Sequence, residues 1–337
     1  MRRRYLYLTG VLAVLLLSLA GCRKELCYDH DEHGFNVRAY IQPVWELEWM
    51  RDYGISALYD LEEEDSHFPQ DYLMPRAGSG IACASYHESG MFTTRHIDST
   101  GGILHLQEGL QDLLFYNNDT EYIVFNGMDT YAEASASTRT RTRATYNSTH
   151  EDETTVNPPD MLFGAWVGNY DGVLSSTADT IGIHLRPLVY KYLIVFEFTE
   201  GIELVQSASG GLAGMAGKVY MQDGHTDDET VTILFDDCYI IDNYIIAVVS
   251  SFGAPGFDYE DSSYDAAERK FGLNLTVTLN SGKTVYSDFD ITEQMSIQPR
   301  GGYIFIPDIS ISTEGGEGFF DVSVGDWGDE EEIELPL

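Results

Sequence analysis

The sequence predicts an all-β protein whose strands pack as β-sandwiches. Short stretches in which apolar and polar residues alternate recur along the chain, with glycine and asparagine between them. This is the pattern of half-buried strands joined by turns. The 22 tyrosines and 16 phenylalanines also favour strands. Helical periodicity is sparse, and only residues 264–269 are expected to make a turn or two.

The first residues have the pattern of a secretion leader. Three arginines at positions 2–4 precede an apolar run over residues 6–19, which is shorter than the ~20 apolar residues of a membrane span. The run ends in Leu19-Ala20-Gly21-Cys22, which resembles the lipobox of bacterial lipoproteins. This resemblance implies that residues 1–21 are a signal peptide. It also implies that Cys22 becomes a lipidated N-terminus whose acyl chains, such as palmitate, hold the protein to a membrane.

Residues 22–34 are mostly polar and are expected to form a lipidated tether. In the Bacteroidetes, acidic residues close behind the acylated cysteine send lipoproteins to the outer face of the outer membrane. Here two basic residues come first and an acidic cluster follows (Arg23, Lys24; Asp29, Asp31, Glu32). The expected location is the cell outer membrane with the protein displayed on the surface, and the periplasmic face stays an alternative.

The chain is strongly acidic, with a formal charge of −36. Removing residues 1–21 takes away three arginines and no acids, which leaves −39. Such a charge repels nucleic acid and anionic surfaces, so we expect no nucleic-acid partner. No second apolar run reaches spanning length, so lipid would be the membrane anchor. The length that remains suits two domains.

The N-terminal domain is predicted over residues 35–155. From Phe35 the apolar side chains Val37, Ala39 and Ile41 alternate with polar ones, which predicts a half-buried strand. Further strands are expected at 55–59, 81–85, 92–96 and 103–106. Residues 113–116 and 122–125 flank a polar segment, and they form either a hairpin or one strand and its exit.

The domain ends in a polar linker over residues 132–155, which is expected to be an exposed edge strand or an extended connection. Threonine alternates with arginine there, so that Arg139, Arg141 and Arg143 form a basic cluster. The favoured interpretation is a solvated strand face. The alternatives are a protease-sensitive loop or a docking patch for an acidic partner.

The C-terminal domain is predicted over residues 156–337, opening at Asn157-Pro158-Pro159-Asp160. A glycine-rich stretch over 207–217 is not assigned to a strand. Residues 271–279 and 284–289 flank Asn280-Ser281-Gly282-Lys283 and predict a hairpin. The acidic tail is expected to pack an edge strand back on this domain, with Phe320, Val322, Val324 and Trp327 seeking burial. The other expected strands are 192–198, 202–205, 219–221, 231–235, 244–249 and 303–311.

The sequence contains no motif of a known catalytic or cofactor-binding site. There is no nucleophile elbow, phosphate loop or dinucleotide fingerprint, so no catalytic residue, cofactor or metal site is predicted. The acidic groups at 227–229 and 258–265 lack the spacing of a calcium loop. With Cys22 lipidated, Cys27, Cys83 and Cys238 are too few and too scattered for a disulfide framework, although one bridge stays open.

Four short motifs in order resemble a lipoprotein family of the Bacteroidales. They are 113–117 (Leu-Leu-Phe-Tyr-Asn), 158–162 (Pro-Pro-Asp-Met-Leu), 211–215 (Gly-Leu-Ala-Gly-Met), and 320–322 (Phe-Asp-Val) with Asp326-Trp327. The family is related to fimbrillin-associated anchor proteins and to fimbrillins. The resemblance implies two tandem transthyretin-like β-sandwich domains behind the signal peptide. In fimbrillins an arginine-directed protease removes the first strand; no equivalent site is evident here, and an anchor would keep that strand.

The resemblance implies a non-enzymatic surface lipoprotein that anchors or decorates fimbriae or acts in adhesion. Its expected partners are fimbrillin-type subunits, which addition of a strand at a sheet edge could hold. The alternative is a glycan-binding lipoprotein of a polysaccharide uptake system, in which exposed tyrosines or Trp166 stack on sugars. For Trp166 the favoured interpretation is a core residue. A hydrolase is a third hypothesis that no catalytic constellation supports.

Overall fold

A computed structural model describes residues 37–47, 73, 75–143, 150, 152–258, 269–312 and 319–322. Several predictions fall outside these residues and stay predictions: the signal peptide, the tether with Cys22 and Cys27, the strand at 55–59, most of the acidic group at 258–265, the turn at 264–269 and the burial of Trp327.

Strand is the main regular structure of the described residues, at 60%, as alternation and aromatic content predict. The first ten strands are β1 (Val37–Trp45), β2 (Gly80–His87), β3 (Phe92–Asp98), β4 (Gly102–Leu106), β5 (Gly109–Asn117), β6 (Ile123–Asn126), β7 (Ser135–Thr138), β8 (Thr155–Val156), β9 (Phe163–Gly172) and β10 (Asp179–Pro187). The next ten are β11 (Tyr190–Glu200), β12 (Val205–Ala216), β13 (Lys218–Tyr220), β14 (Thr230–Phe235), β15 (Cys238–Ile241), β16 (Tyr244–Ser251), β17 (Gly272–Leu279), β18 (Thr284–Asp290), β19 (Gly302–Ser312) and β20 (Phe319–Val322).

Helical structure in the described ranges consists of a 3₁₀ turn at Ile202–Leu204, a short helix, α1 (Thr292–Ser296), and the 3₁₀ conformation of His150. Among the described residues, no helix is both long and apolar enough to cross a membrane. The prediction of an all-β protein is confirmed.

The N-terminal sandwich is a seven-stranded sheet in the order β3-β2-β5-β9-β10-β1-β4. It folds over where β9 meets β10, a junction at which only Phe163 and Gly164 pair with Pro187 and Arg186. The layer of β10, β1 and β4 thereby packs on the layer of β3, β2, β5 and β9. The alternating residues Val37, Ala39 and Ile41 of β1 face inward and are buried, as predicted. Ala39 and Ile41 join a core that draws on both layers.

The C-terminal sandwich consists of two five-stranded sheets. One has the order β15-β16-β11-β19-β20 and the other β18-β17-β12-β14-β8. Their inner faces share one large core, in which the alternating Leu273, Leu275 and Val277 of β17 meet Phe196 of β11. The remaining strands form a three-stranded sheet, β13-β7-β6, whose cluster combines residues of both halves of the chain.

Many strands predicted from alternation are present. The predicted hairpin at 271–289 is confirmed, because β17 and β18 pair antiparallel with Thr278 opposite Thr284. The predicted C-terminal edge strand is also present, since β20 pairs with β19 at the margin of its sheet. Of the two alternatives for residues 113–116 and 122–125, the hairpin is wrong, because β5 and β6 belong to different sheets.

The division into residues 35–155 and 156–337 stays a prediction about folding units, but strand pairing crosses it. β9 and β10 follow residue 156 and yet pair with β5 and β1. Conversely, β7 lies before it and pairs with β13. The parallel β1–β10 pair joins residues about 140 positions apart, and such a contact leaves no trace in local sequence.

The glycine-rich stretch forms β12, which lies between β17 and β14 at the centre of its sheet. Glycine is a poor strand former, but side chains at these positions would collide with neighbours. A Cβ at Gly211 would lie 2.9 Å from the Thr232 methyl and 3.0 Å from the Asn274 amide nitrogen. Glycine therefore allows neighbouring strands and their side chains to lie close to β12.

Candidate functional site

Two of the motifs that carry the family resemblance, at 113–117 and 158–162, are joined by hydrogen bonds. Asn117, at the end of β5, donates from its side-chain amide to the Met161 carbonyl at 3.0 Å and accepts from the Phe163 amide at 2.7 Å. Asp160 accepts from the backbone amides of Glu121 and Tyr122 at the start of β6. Two motifs about 40 residues apart are thus bonded to each other, and their role is structural.

The polar linker lies against the C-terminal sandwich; we name the described part of residues 139–155 the strap. Its backbone is paired, because the Arg141 amide donates to the Thr155 carbonyl at 2.9 Å and the Thr232 amide donates to the Thr154 carbonyl at 2.9 Å. The strap crosses the outer face of the sheet that contains β12. The linker begins with β7, which is the central strand of its sheet. The predicted alternatives, an exposed edge strand or an extended connection, are therefore wrong for β7. The strap is extended and leads into β8, which is an edge strand of its sheet.

The basic cluster divides into one exposed and two engaged arginines. Arg139 is exposed, in agreement with a solvated strand. Arg141 bonds the Asp236 carboxylate, and Arg143 donates to Asn274 Oδ1 at 3.0 Å. For Arg141 and Arg143 the favoured interpretation, a solvated strand face, and the alternative, a docking patch, are both wrong. Both side chains bond other residues of the protein.

Four charged side chains fasten the strap, and we call Arg143, His150, Glu153 and Asp288 the clasp. His150 Nδ1 lies 2.6 Å from Glu153 Oε1, and its Nε2 lies 2.8 Å from Asp288 Oδ1. Arg143 adds a bond to Glu153 at 2.7 Å. Sequence reasoning missed His150 because its partner on β18 is 138 residues away.

The clasp is charged at neutral pH. Hydrogen bonds to Asp288 and Glu153 raise the pKa of His150 to about 9. Burial alone would raise the pKa of Glu153, but bonds from His150, Thr232 and Arg143 outweigh it and lower this pKa to about 2. Both ring nitrogens of His150 are engaged, so the ring offers no lone pair to a metal or to a proton-transfer step.

A cavity of about 670 Å³ opens beside the clasp. Small residues of β12 and its surroundings form part of its wall, including Ala213, Gly214 and Gly272. Three of its ionisable groups, His150, Glu153 and Asp288, already bind one another. The cavity exists because the small residues of β12 leave space there. The charged side chains that line it bind one another, which indicates a structural role for the strap.

Two of the three acids at 227–229 are paired with basic side chains. Asp227 lies 2.6 Å from the Lys218 ammonium, and Asp228 lies 2.6 Å from the Arg269 guanidinium. Within the ranges that the structure covers, no cluster of histidine, cysteine and carboxylate side chains could hold a metal ion.

The two described cysteines are unpaired thiols. Cys83 is buried in β2, and Cys238 is half-buried in β15. Burial raises the pKa of each thiol to about 12. Both are therefore protonated and unreactive at neutral pH.

Trp166, the candidate for sugar stacking, is half-buried on β9. It packs against the cluster beneath the three-stranded sheet, and the Arg186 guanidinium lies 5.9 Å from its ring. The exposed aromatic side chains among the described residues are Tyr40, Phe92, Tyr122 and Tyr286. They lie on or beside four strands that do not pair with one another, so they form no continuous row.

Sheet edges offer backbone groups to a partner strand. In the described sheets the longest edge strands are β3 and β18, each of seven residues. Each has one side without a neighbouring strand. Such an edge can accept an added strand through main-chain hydrogen bonds.

Comparison with known proteins gives one family match, which covers residues 83–236. The matching family is described as a domain of unknown function, DUF5119, and the match spans less than half of the chain. No curated protein matches.

Among solved structures, a candidate adhesin of Bacteroides ovatus is 16% identical with a TM-score of 0.57, and the match covers 86% of this chain and 97% of that one. The fimbrial anchor protein Mfa2 of Porphyromonas gingivalis is 10% identical with a TM-score of 0.45, over 84% of this chain and 95% of Mfa2. The similarity to the Bacteroides ovatus protein shows a shared fold along nearly the whole chain. The predicted likeness to Bacteroidales surface proteins is thereby confirmed for the fold.

Proposed function

We propose that this chain is a non-enzymatic lipoprotein of the cell surface that acts as a fimbrial anchor or accessory subunit. Lipid on Cys22 would hold it in the outer membrane, and fimbrillin-type subunits would be its partners. One observation gives this proposal its main support. The lipobox cysteine is followed by a pair of β-sandwiches that have the fold of the Bacteroides ovatus candidate adhesin.

The described residues support a binding role over catalysis. The clasp histidine is saturated with partners, and the described cysteine thiols are protonated and shielded. The long edges β3 and β18 supply the unpaired backbone that strand addition requires. Glycan binding receives less support, because Trp166 is covered and the exposed aromatic residues are scattered.

Labelling with an alkyne analogue of palmitate tests the anchor. The wild-type protein should incorporate the label and stay with outer membranes, whereas Cys22→Ser should do neither. Cys27→Ser, five residues further along, is the matched control and should behave as wild type. Membrane retention of Cys22→Ser would contradict the proposal.

Cross-linking on intact fimbriated cells tests the partner. Capture of the protein should recover fimbrillin-type subunits, and this recovery should fall when the edges β3 and β18 are each blocked by a proline substitution. The control is Gln42→Lys, at an exposed position of β1, because it leaves both edges intact. A proline at the same position would not serve as control, since β1 has a neighbouring strand on each side and the substitution would break the sheet. Recovery of no such subunit from cells that make fimbriae would contradict the proposal.

A further inference from the structure

Among the described residues, no strand or helix packs over the outer face of the layer of β10, β1 and β4 in the N-terminal sandwich. Because inward residues alternate with outward ones, every second position of these strands points away from the core. The pairing places Tyr40 of β1 beside Ile103 of β4, and Val44 beside His184 of β10. We name these outward positions, together with the loop 172–178, the bare face.

The bare face exposes apolar side chains. Val44 is 53% exposed, Ile103 is 50% exposed and Tyr40 is 41% exposed. The loop after β9 belongs to the same surface, because the outward-facing Arg38 donates to the Ser176 carbonyl at 2.8 Å. This loop adds Val173 and Leu174, which are 65% and 45% exposed. Five large apolar side chains thus border one side of the molecule, which marks an interaction surface.

The bare face also lacks acidic residues. The chain has 55 aspartates and glutamates among 337 residues, about one in six. None occupies an outward position within these strands or the loop 172–178, although the exposed Asp171 and Asp179 flank that loop. His105, His184 and Arg186 are present there instead. Glu46 stands at the rim, 3.6 Å from Arg186. The molecule as a whole, with a formal charge of −36, repels an anionic layer, but the strands of this face add no acidic side chain to that repulsion.

We propose that the bare face lies against the anionic headgroup layer of the membrane that carries the lipidated Cys22. This inference rests on the proposed lipid anchor. β1, the central strand of the face, begins only 15 residues after Cys22, a length that reaches at most about 50 Å. Tethering keeps the face close to the surface, so weak contacts suffice to orient the protein.

The residue types fit such a surface. Tyrosine and basic side chains are favoured at the headgroup level, and aliphatic side chains at a loop tip can enter the acyl boundary. A protein partner is the competing occupant of an apolar face. The membrane is favoured because the face is continuous with the strand nearest the anchor and because the acid-free area matches an anionic layer.

The test measures the depth of fluorescent labels in the lipidated full-length protein. The protein is purified from membranes and placed in vesicles of phosphatidylethanolamine and phosphatidylglycerol that contain a headgroup-level nitroxide quencher. A Cys27→Ser background removes the tether thiol, and the described thiols, Cys83 and Cys238, are protonated and shielded. Labels are placed at Val44→Cys on the bare face and at Tyr286→Cys on β18, which has similar exposure.

We expect the nitroxide to quench the label at position 44 about twofold or more, and the label at position 286 little. Replacing Val173 and Leu174 with aspartate should weaken quenching at position 44, whereas Ile297→Asp, an exposed change elsewhere, should not. Equal, weak quenching at both positions in vesicle-bound protein would overturn the proposal. So would shielding of position 44 by a co-purified protein without quenching.

Failure of the protein to stay with vesicles would have a separate meaning, since it would refute the lipid anchor itself. Vesicles of phosphatidylcholine alone provide the charge control. If the surface is selected for its charge, quenching at position 44 should be lower on these neutral vesicles. Equal quenching on both vesicle types would overturn the role given to charge.

Discussion

One outer face of the C-terminal sandwich differs from one outer face of the N-terminal sandwich in how the described residues cover it. In the C-terminal sandwich the strap crosses the outer face of the sheet that contains β12, and the clasp fastens it with Arg143, His150, Glu153 and Asp288. In the N-terminal sandwich the layer of β10, β1 and β4 keeps its outer face open, with Tyr40, Val44 and Ile103 exposed.

This contrast separates structure from recognition. On the covered face, charged groups satisfy one another and a glycine-rich strand permits close packing, so its polar residues serve stability. On the bare face, apolar side chains meet no partner within the described chain. The sequence analysis predicts that Arg141 and Arg143 are solvated, and it predicts no strand at β10. The charged residues Arg141 and Arg143 therefore stabilise the fold, whereas the exposed apolar residues of the bare face can contact a partner.

The largest expected effect comes from adding a side chain beneath the strap. Gly211→Val should destabilise the protein by about 2–3 kcal/mol because its methyl groups would overlap Thr232 and Asn274. The matched control is Gly182→Val on the bare face, where an added Cβ meets nothing within 4 Å. Urea unfolding measures both. Equal losses would contradict the contrast between the faces, because valine suits either strand equally well.

The next effect comes from the clasp and depends on pH. The folded-state pKa of His150, about 9, lies above its ordinary value of 6.5. Its stabilisation is therefore complete below pH 6.5 and is lost as the pH rises through 9. Glu153 has a folded-state pKa of about 2 instead of 4.5, so its contribution is complete above pH 4.5 and disappears as the pH falls through 2.

His150→Gln should cost about 1–2 kcal/mol at pH 6, since it removes charge-assisted bonds from a partly accessible group. The variant should also lose most of the decline in unfolding free energy between pH 6.5 and 9. His184→Gln, on the bare face, is the matched control and should alter neither quantity. An unchanged pH profile in His150→Gln would show that the strap is not held by this residue.

The sequence predicts the strands whose causes are local. Alternation identifies β1 and β17, and a polar four-residue turn identifies the hairpin of β17 and β18. Alternation also marks β10, where Ile181, Ile183 and Leu185 are buried and their neighbours exposed, but this signal was overlooked. The parallel pairing of β1 with β10 and the strand conformation of β12 have distant causes, namely the partners they meet in the folded state.

The difference between local and distant causes also explains which contacts of the strap the sequence predicts. The alternation of threonine and arginine correctly indicates an extended chain at residues 139–143. It does not indicate that Arg141 reaches Asp236, 95 residues later, or that Arg143 reaches Asn274, 131 residues later. The clasp was therefore invisible, and the prediction of a basic patch failed although the backbone prediction was sound.

The smallest expected effect compares one ion pair from each face. Arg141 and Asp236 fasten the strap, and Arg141 is 28% exposed. Arg186 and Glu46 stand at the rim of the bare face, 3.6 Å apart and both nearly half exposed. Double-mutant cycles with Arg→Gln and Glu→Gln or Asp→Asn should give a coupling of about 0.5–1 kcal/mol for the strap pair and close to zero for the rim pair. Added salt should reduce the larger coupling, because the Asp236 side chain is 54% exposed although Arg141 is partly buried. A stronger coupling at the rim would mean that the bare face is organised by its own charges and would weaken the case for an external surface there.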